Sequence, residues 1–102
     1  MIRNATVEDL PALLLIEEVC WEPALRASSL TILNRISDNA EGQYIVESQG
    51  EILGVLYTQR ISCNVDEMVD KGFVKQASLH DPAGSTIQLL AINVPSGELA
   101  FL

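Results

Sequence analysis

The side chains able to do chemistry in this chain of 102 residues are few, and the first group of them surrounds Trp21. Glu17, Glu18 and Glu22 form an acidic cluster whose spacing is compatible with one face of a helix. Carboxylates grouped in this way can act in acid–base catalysis, yet an acidic helix face is usually solvated. We therefore interpret the cluster as a solvated face. On residue type alone, we interpret the tryptophan as an apolar anchor between two helices.

The single histidine and the two cysteines form no obvious catalytic group. His80 precedes Asp81, a pairing that could act as a base, but turn-forming residues follow it and we expect it on a surface loop. Cys20 and Cys63 lie far apart, with neither a metal-type spacing nor a visible base partner, so we interpret both as reduced structural thiols. The sequence contains no Walker loop, dinucleotide fingerprint or zinc motif, and we expect no bound metal.

Two further polar residues lie in strand-like runs. Arg60 could bind a carboxylate or a phosphate group, although an arginine near the end of a strand is more often solvated. Asn93 could orient a substrate, or equally be a hydrogen-bonded polar residue near the edge of a sheet. Both alternatives stay open at the level of the sequence.

Composition and charge narrow the function classes. Hydrophobic residues make up 48% of the chain, which is ample for one core in a domain of this size. The chain has 14 acidic and 6 basic residues, a formal charge of −8, whereas proteins that bind nucleic acid or anionic membranes need clustered lysine and arginine. No apolar run is long enough to span a membrane, and the N-terminus lacks the apolar core of a signal peptide, so we expect a cytoplasmic protein.

The first half of the chain predicts one short strand and two helices. The strand, at 2–5, precedes a helix from about 7 to 19 or 20 that has leucines on one face and acidic residues on another. Pro23 closes this helix, because proline disfavours helical geometry in the residue before it. Ser28 or Ser29 caps a second helix, which ends at a turn containing a glycine.

The second half predicts strands. Runs at 43–48 and 52–61 flank a glycine turn and indicate an antiparallel hairpin, in which Gly54 indicates a bulge or a close backbone approach. The segment 62–85 is polar and irregular, and the run 86–94 predicts a long, mostly buried strand. The predicted fold is α+β: an antiparallel sheet in the order 1-2-3-4 with two helices packed on it.

Five features of this pattern resemble the first half of the GNAT superfamily of N-acetyltransferases. They are Ile2-Arg3-Asn4-Ala5-Thr6, Glu8-Asp9-Leu10-Pro11-Ala12, Gly54-Val55-Leu56-Tyr57, Ala91-Ile92-Asn93-Val94, and Pro95 after the last of these. Three strings resemble, more narrowly, the GNAT-like domains of polyketide synthase loading modules: Glu17-Glu18-Val19-Cys20-Trp21, Tyr57-Thr58-Gln59-Arg60-Ile61 and Gln88-Leu89-Leu90-Ala91-Ile92-Asn93-Val94. We assign 1–95 to a partial GNAT-like domain that lacks the C-terminal half of the fold, and 96–102 to a short apolar tail.

The resemblance implies a site for acyl-CoA. In this superfamily the ligand lies in a cleft where the fourth strand splays from the fifth. On this chain the backbone of Ile92, Asn93 and Val94 would pair with the pantetheine arm. Trp21 occupies the place of an aromatic residue that gates the substrate tunnel, and Arg60 is our second candidate for this channel.

The resemblance also implies an acyltransferase reaction, with acetyl-CoA or malonyl-CoA as donor and an amine or an acyl carrier protein thiol as acceptor. Loading members resemble decarboxylases in which a threonine and a histidine stabilise an enolate oxyanion. Thr58 and Thr86 are candidates by residue type alone, and His80 does not match the histidine. The superfamily holds the pyrophosphate with a glycine-rich loop, but the segment 95–98 has one glycine and no basic residue. We therefore expect a truncated region that is inactive alone.

Two other hypotheses remain. The chain could be a non-catalytic interaction module, in which the edge of the last strand and the apolar residues 99–102 pair with a partner chain or a second copy. It could also be a decayed gene product without activity. Binding of CoA separates the transferase from both of these alternatives.

Overall fold

The structure is a computed structural model that describes residues 1–62 and 80–95. Within these residues it has four strands and two α-helices. The strands are β1 (Ile2–Asn4), β2 (Gln43–Ser48), β3 (Glu51–Ile61) and β4 (Thr86–Asn93), and the helices are α1 (Leu10–Cys20) and α2 (Ser29–Asp38). Cys63 and the predicted tail at 96–102 lie outside the described residues.

The first helix begins later than the sequence predicts. A 3-10 turn, Val7–Asp9, precedes α1. The carboxylate of Asp9 accepts hydrogen bonds from the backbone N–H of Thr6 at 2.8 Å and from its hydroxyl at 3.2 Å, which satisfies donors at the start of the turn. Pro11 is the second residue of α1, a position where the missing N–H breaks no helical hydrogen bond.

The second helix begins at its predicted cap. Ser28 has extended backbone angles, and its hydroxyl accepts a hydrogen bond from the backbone N–H of Thr31 at 3.1 Å. Of the two serines offered by the sequence, Ser28 is therefore the cap and Ser29 is the first helical residue.

The described strands form one antiparallel sheet in the order β1-β2-β3-β4, as predicted. β2 and β3 are joined by Gln49 (φ 54°) and Gly50 (φ 80°), the left-handed pair that a tight two-residue hairpin turn requires. The pairing then skips Leu53, because Gly54 lies opposite Val46 and the next pair begins at residue 52. The predicted irregularity is thus a bulge directly before Gly54.

A second bulge lies in β4. Tyr57 pairs with Ala91, whereas the next residue of β3, Thr58, pairs with Leu89. Leu90 is therefore an extra residue on β4. Bulges of this kind bend a strand and increase its local twist.

Both helices pack on one face of the sheet. The core is formed by buried residues from α1, α2, the inner strands β2 and β3, and the residue that follows β1, namely Ala5, Leu13, Ile16, Ile32, Ile36, Ile45, Val55 and Tyr57. The prediction that the last strand is mostly buried is wrong for this structure. Ile87, Leu89 and Ile92 are 65%, 52% and 55% exposed, because they lie on the opposite face of the sheet, which no described helix covers.

Candidate functional site

Two of the predicted site residues, Trp21 and Asn93, are in direct contact. Trp21 follows the last residue of α1 and has an extended backbone (φ −131°, ψ 145°). Asn93 is the last residue of β4 and is 1% exposed. The indole Nε1 of Trp21 donates a hydrogen bond to Oδ1 of Asn93 at 2.8 Å. This bond joins the end of α1 to the end of β4.

Glu17, one helical turn before Trp21, extends this contact into the interior. Nδ2 of Asn93 donates to Oε2 of Glu17 at 2.5 Å, and the backbone N–H of Ala27 donates to Oε1 at 2.6 Å. Glu17 is only 3% exposed. The prediction that Glu17 belongs to a solvated acidic face is therefore wrong.

The acidic cluster divides because neighbouring positions of a helix point in different directions. Glu18 and Glu22 are exposed, as predicted. Glu17 follows Leu13 by four residues and shares its buried face. A carboxylate buried in this way needs hydrogen-bond donors, and the amide of Asn93 and the backbone of Ala27 supply them. The burial of Glu17 could not be predicted from the sequence, since Asn93, one of its two partners, lies 76 residues away along the chain.

The segment that follows α1 is held in place by Arg26. Its Nε donates to the carbonyl oxygen of Trp21 at 2.9 Å, and its Nη2 donates to that of Glu18 at 3.2 Å. A cation that binds the last carbonyls of a helix also complements the negative end of the helix dipole. These bonds turn the chain back along α1, which brings Ala27 to the carboxylate of Glu17.

Arg35 of α2 and Tyr57 of β3 are two ionisable residues on which the charge of Glu17 acts. The guanidinium of Arg35 lies over the ring of Tyr57. Burial raises the pKa of Tyr57, and the charge of Glu17 raises it further, while Arg35 opposes this shift. Burial lowers the pKa of Arg35, and Tyr57 and Glu17 oppose that effect. The negative charge of Glu17 therefore acts on both groups.

Cys20 lies at the same end of α1. Burial and then the charge of Glu17 raise the pKa of its thiol, and a hydrogen bond from the Val94 backbone opposes the shift. A thiol held in its neutral form is a poor nucleophile. The environment of Cys20 thus agrees with its interpretation as a structural thiol. Its hydrogen bond with Val94 also places the backbone of that residue beside the Trp21–Asn93 contact.

Arg60 and His80 lie at the other end of β3. The backbone N–H of Arg60 donates to Nδ1 of His80 at 3.1 Å, and its Nε donates to the carbonyl oxygen of Gly84 at 2.9 Å. Arg60 pairs with Ile87, whereas Asn93 pairs with a residue five positions earlier on β3, a separation of about 16 Å along an extended strand. The structure therefore does not bring Arg60 or His80 to Trp21, and the channel role of Arg60 stays a prediction.

Neither candidate threonine reaches the Trp21–Asn93 contact. The hydroxyl of Thr58 donates to the carbonyl oxygen of Gly42 at 2.7 Å, and Thr58 is buried. The side chain of Gln43 bonds the same residue twice, since Oε1 accepts from the Thr58 N–H at 3.0 Å and Nε2 donates to its carbonyl oxygen at 2.8 Å. Thr86 is exposed at the first position of β4. Thr58 is thus held in hydrogen bonds with Gly42 and Gln43. Thr86 lies at the opposite end of β4 from Asn93.

The part of the chain that the structure describes contains neither a cluster of metal-ligating side chains nor a membrane-spanning helix. Across 1–62 and 80–95, the His, Cys, Asp and Glu side chains form no group of three or more that could hold a metal ion. None of the described helices has both the length and the apolar character needed to cross a bilayer.

The solved structures that are similar to this chain include two GNAT-like domains. The loading GNATL domain of CurA from Lyngbya majuscula superposes with a TM-score of 0.89 and 33% sequence identity, covering 100% of this chain and 51% of that chain. The GphF GNAT-like decarboxylase, solved in complex with isobutyryl-CoA, superposes with a TM-score of 0.79 and 36% identity, covering 92% of this chain and 48% of that chain.

No protein-family model and no curated protein matches the sequence. This chain spans about half the length of each of the two solved relatives. The α+β fold predicted from the sequence is confirmed by both superpositions. Over that half-length, the chain has the GNAT-like fold of a loading domain.

Proposed function

We propose that this chain forms part of an acyl-CoA site in a GNAT-like loading domain. The observation that carries the proposal is the Trp21–Asn93 hydrogen bond, which places an aromatic ring at the end of β4. A GNAT-like decarboxylase of the same fold was solved with isobutyryl-CoA. The predicted ligand groups, the backbone of Ile92, Asn93 and Val94, lie at this end of β4.

The pantetheine arm of acyl-CoA carries amide groups that can pair with a strand edge. In the described sheet β4 is the last strand, so one of its edges is available for such pairing. The Leu90 bulge lies between this end of β4 and the end near Arg60. Trp21 is half-buried, which suits a ring that packs on the protein with one face and on an acyl group with the other.

The reaction that we propose for the complete domain is acyl transfer from acetyl-CoA or malonyl-CoA to a carrier-protein thiol or an amine. With malonyl-CoA, the bond to the carboxylate breaks and carbon dioxide leaves. The electron pair then remains as an enolate, which takes a proton to give the acetyl thioester. This chain would supply binding and positioning. We propose that these 102 residues do not turn over alone, because His80 is the only histidine and it bonds the Arg60 amide far from Trp21.

Ligand binding by the purified chain tests the proposal. A ligand that binds only the folded state at 100 times its Kd stabilises it by about 2.7 kcal/mol, which raises the Tm of a domain of this size by on the order of 10 °C. We expect isobutyryl-CoA and acetyl-CoA to raise the Tm, and ATP at equal concentration to leave it unchanged. No rise with any acyl-CoA at millimolar concentration would contradict the proposal.

Trp21→Ala sharpens this test. If Trp21 lines the acyl channel, the substitution should weaken the binding of isobutyryl-CoA more than the binding of CoA. Only isobutyryl-CoA has an acyl group to contact the ring. The matched control is Val19→Ala, an exposed change two residues earlier, in the last turn of α1. Equal losses for both ligands would show that the tryptophan supports the fold and not the channel.

A second candidate function is an interaction module. It is favoured by the exposed apolar side chains of β4, namely Ile87, Leu89 and Ile92, on a strand that ends the described sheet. A second copy of the chain could add a strand to this edge by β-augmentation. Light scattering after size-exclusion chromatography distinguishes the two: a dimer that disappears in Leu89→Lys supports the module, and a monomer at all concentrations contradicts it.

A further inference from the structure

Only one orientation of the Asn93 amide satisfies the hydrogen bonds that join Glu17, Asn93 and Trp21. An indole N–H can only donate, and a carboxylate can only accept. The amide of Asn93 lies between them, with Oδ1 toward the indole at 2.8 Å and Nδ2 toward the carboxylate at 2.5 Å. The carboxylate of Glu17 therefore determines which end of the Asn93 amide faces Trp21.

Glu17→Gln disturbs this match while it conserves the shape of the side chain. If the new amide accepts from Ala27 through its oxygen, its nitrogen opposes Nδ2 of Asn93. If the Asn93 amide then rotates, its nitrogen opposes the indole N–H of Trp21. If the glutamine rotates instead, its nitrogen opposes the backbone N–H of Ala27. Every arrangement leaves two donors facing each other in a buried site, and buried donors without acceptors are costly.

We infer that Glu17 is a positioning residue of the acyl-CoA site: acting through the Asn93 amide, it holds the indole of Trp21 in the wall of the acyl channel. The inference rests on the proposed function, which supplies the channel. Glu17 is buried behind Asn93, so it acts on the site through that residue.

A purely structural role for Glu17 makes a different prediction. In that role the carboxylate would only hold the backbone of Ala27 against α1, and its loss would lower stability without a specific effect on Trp21. Exchanging the two polar groups separates these roles. In E17Q/N93D the new glutamine accepts from Ala27 and donates to the new aspartate, which accepts from Trp21, so every bond is matched again.

The experiment uses the whole 102-residue chain in five forms: wild type, E17Q, N93D, E17Q/N93D and E18Q. Glu18 is exposed and adjacent on α1, which makes E18Q a control for the loss of one carboxylate. Trp21 is the sole tryptophan, so its emission wavelength and its quenching by acrylamide report on this ring alone. Calorimetry then gives the Kd for isobutyryl-CoA.

We expect E17Q to shift the emission of Trp21 to the red and to increase its quenching by acrylamide. The Kd for isobutyryl-CoA should rise by about tenfold. N93D should be at least as impaired, because it places a second carboxylate against that of Glu17, so that two acceptors face each other. The exchanged pair should return the emission to its wild-type position and the Kd to within about threefold, and E18Q should match wild type in both readouts.

Other outcomes overturn the inference. Wild-type emission and Kd in E17Q would show that Glu17 positions nothing, and so would an exchanged pair no better than E17Q. If E17Q does not fold, the exchanged pair decides: recovery of folding, emission and affinity supports the inference, and an impaired pair refutes it. Failure of the wild type to bind any acyl-CoA would instead refute the proposed function, and the positioning role with it.

Discussion

The guanidinium carbon of Arg35 lies 4.7 Å from the centroid of the Tyr57 ring, which is completely buried. This stacking joins α2 to the centre of the sheet at β3. A cation over an aromatic face gains electrostatic attraction, and the gain grows as water is excluded. Burial also disfavours the charge, as the lowered pKa of Arg35 shows, so substitution measures which effect is larger.

We expect Arg35→Met to lower the free energy of unfolding by about 1–2 kcal/mol, because methionine keeps an apolar chain but loses the cation. Arg35→Lys should lose less, since it keeps the charge without the planar stacking. Urea denaturation measures both. If the methionine variant equals wild type or is more stable, the cost of burying the charge offsets the attraction.

The hydroxyl of Tyr57 is buried and has no hydrogen-bond partner in the part of the chain that the structure describes. A buried polar group without a partner costs roughly 1–3 kcal/mol. Tyr57→Phe should therefore leave stability unchanged or raise it by up to about 1 kcal/mol, while the ring still stacks on Arg35. Tyr44→Phe, at an exposed position, is the control. A clear loss of stability in Tyr57→Phe would reveal a bound water or another partner.

Asp9 stabilises the folded state in a way that depends on pH. Hydrogen bonds from Arg3 at 2.8 and 2.9 Å lower the pKa of Asp9 from 3.8 to about 2. A carboxyl whose pKa is lower in the folded state contributes its full stabilisation above the unfolded value. That contribution is lost as the pH falls through the folded value.

Asp9→Asn should therefore cost about 1 kcal/mol at pH 7, a figure reduced for the partial exposure of the ion pair. The difference from wild type should shrink between pH 3.8 and about 2 and vanish below that range. Urea denaturation at several pH values measures it, with Glu8→Gln as the exposed control. A difference that persists unchanged at pH 2 would contradict the role of the charge.

Substitution of Thr58 and of Thr86 should have different effects on stability, because Thr58 is buried and Thr86 is exposed. Thr58→Val removes the buried hydroxyl that donates to the Gly42 carbonyl at 2.7 Å, and it should cost about 1–2 kcal/mol of stability. Thr86→Val, at an exposed strand end, should change stability by less than about 0.5 kcal/mol. Neither substitution should change the Kd for isobutyryl-CoA. A selective loss of binding in Thr58→Val would show that the hydroxyl of Thr58 takes part in binding the ligand.

Much of the fold could be predicted because its signals are local. The cap at Ser28, the hairpin turn at Gly50 and the alternation in β2 and β3 each depend on neighbouring residues. The burial of β4 was mispredicted for a reason of the same kind. A run with apolar residues at successive positions indicates cover on both faces, and the described helices cover only one.

The candidate site could be predicted only in part. Asn93 and Trp21 were identified through a resemblance, and the structure joins them. Glu17 was assigned to solvent because the acidic residues beside it are solvated. The group that makes its burial tolerable, the amide of Asn93, is 76 residues away in sequence. No local pattern records a donor that arrives from another strand, so burial of a single carboxylate in an acidic run is visible only in three dimensions.

The extra residue at Leu90 determines which side chains of β4 share a face. With it, Asn93 and Ala91 point to the helices, and so does Gln88, whose Oε1 accepts from Nε2 of Gln59 at 2.6 Å. In a regular ladder that used every residue of β4, the positions before Leu90 would be inverted. Such a strand could keep its asparagine under the indole or its glutamine beside Gln59, but it could not keep both, whereas deleting Leu90 would remove the bulge and leave both pairings in register.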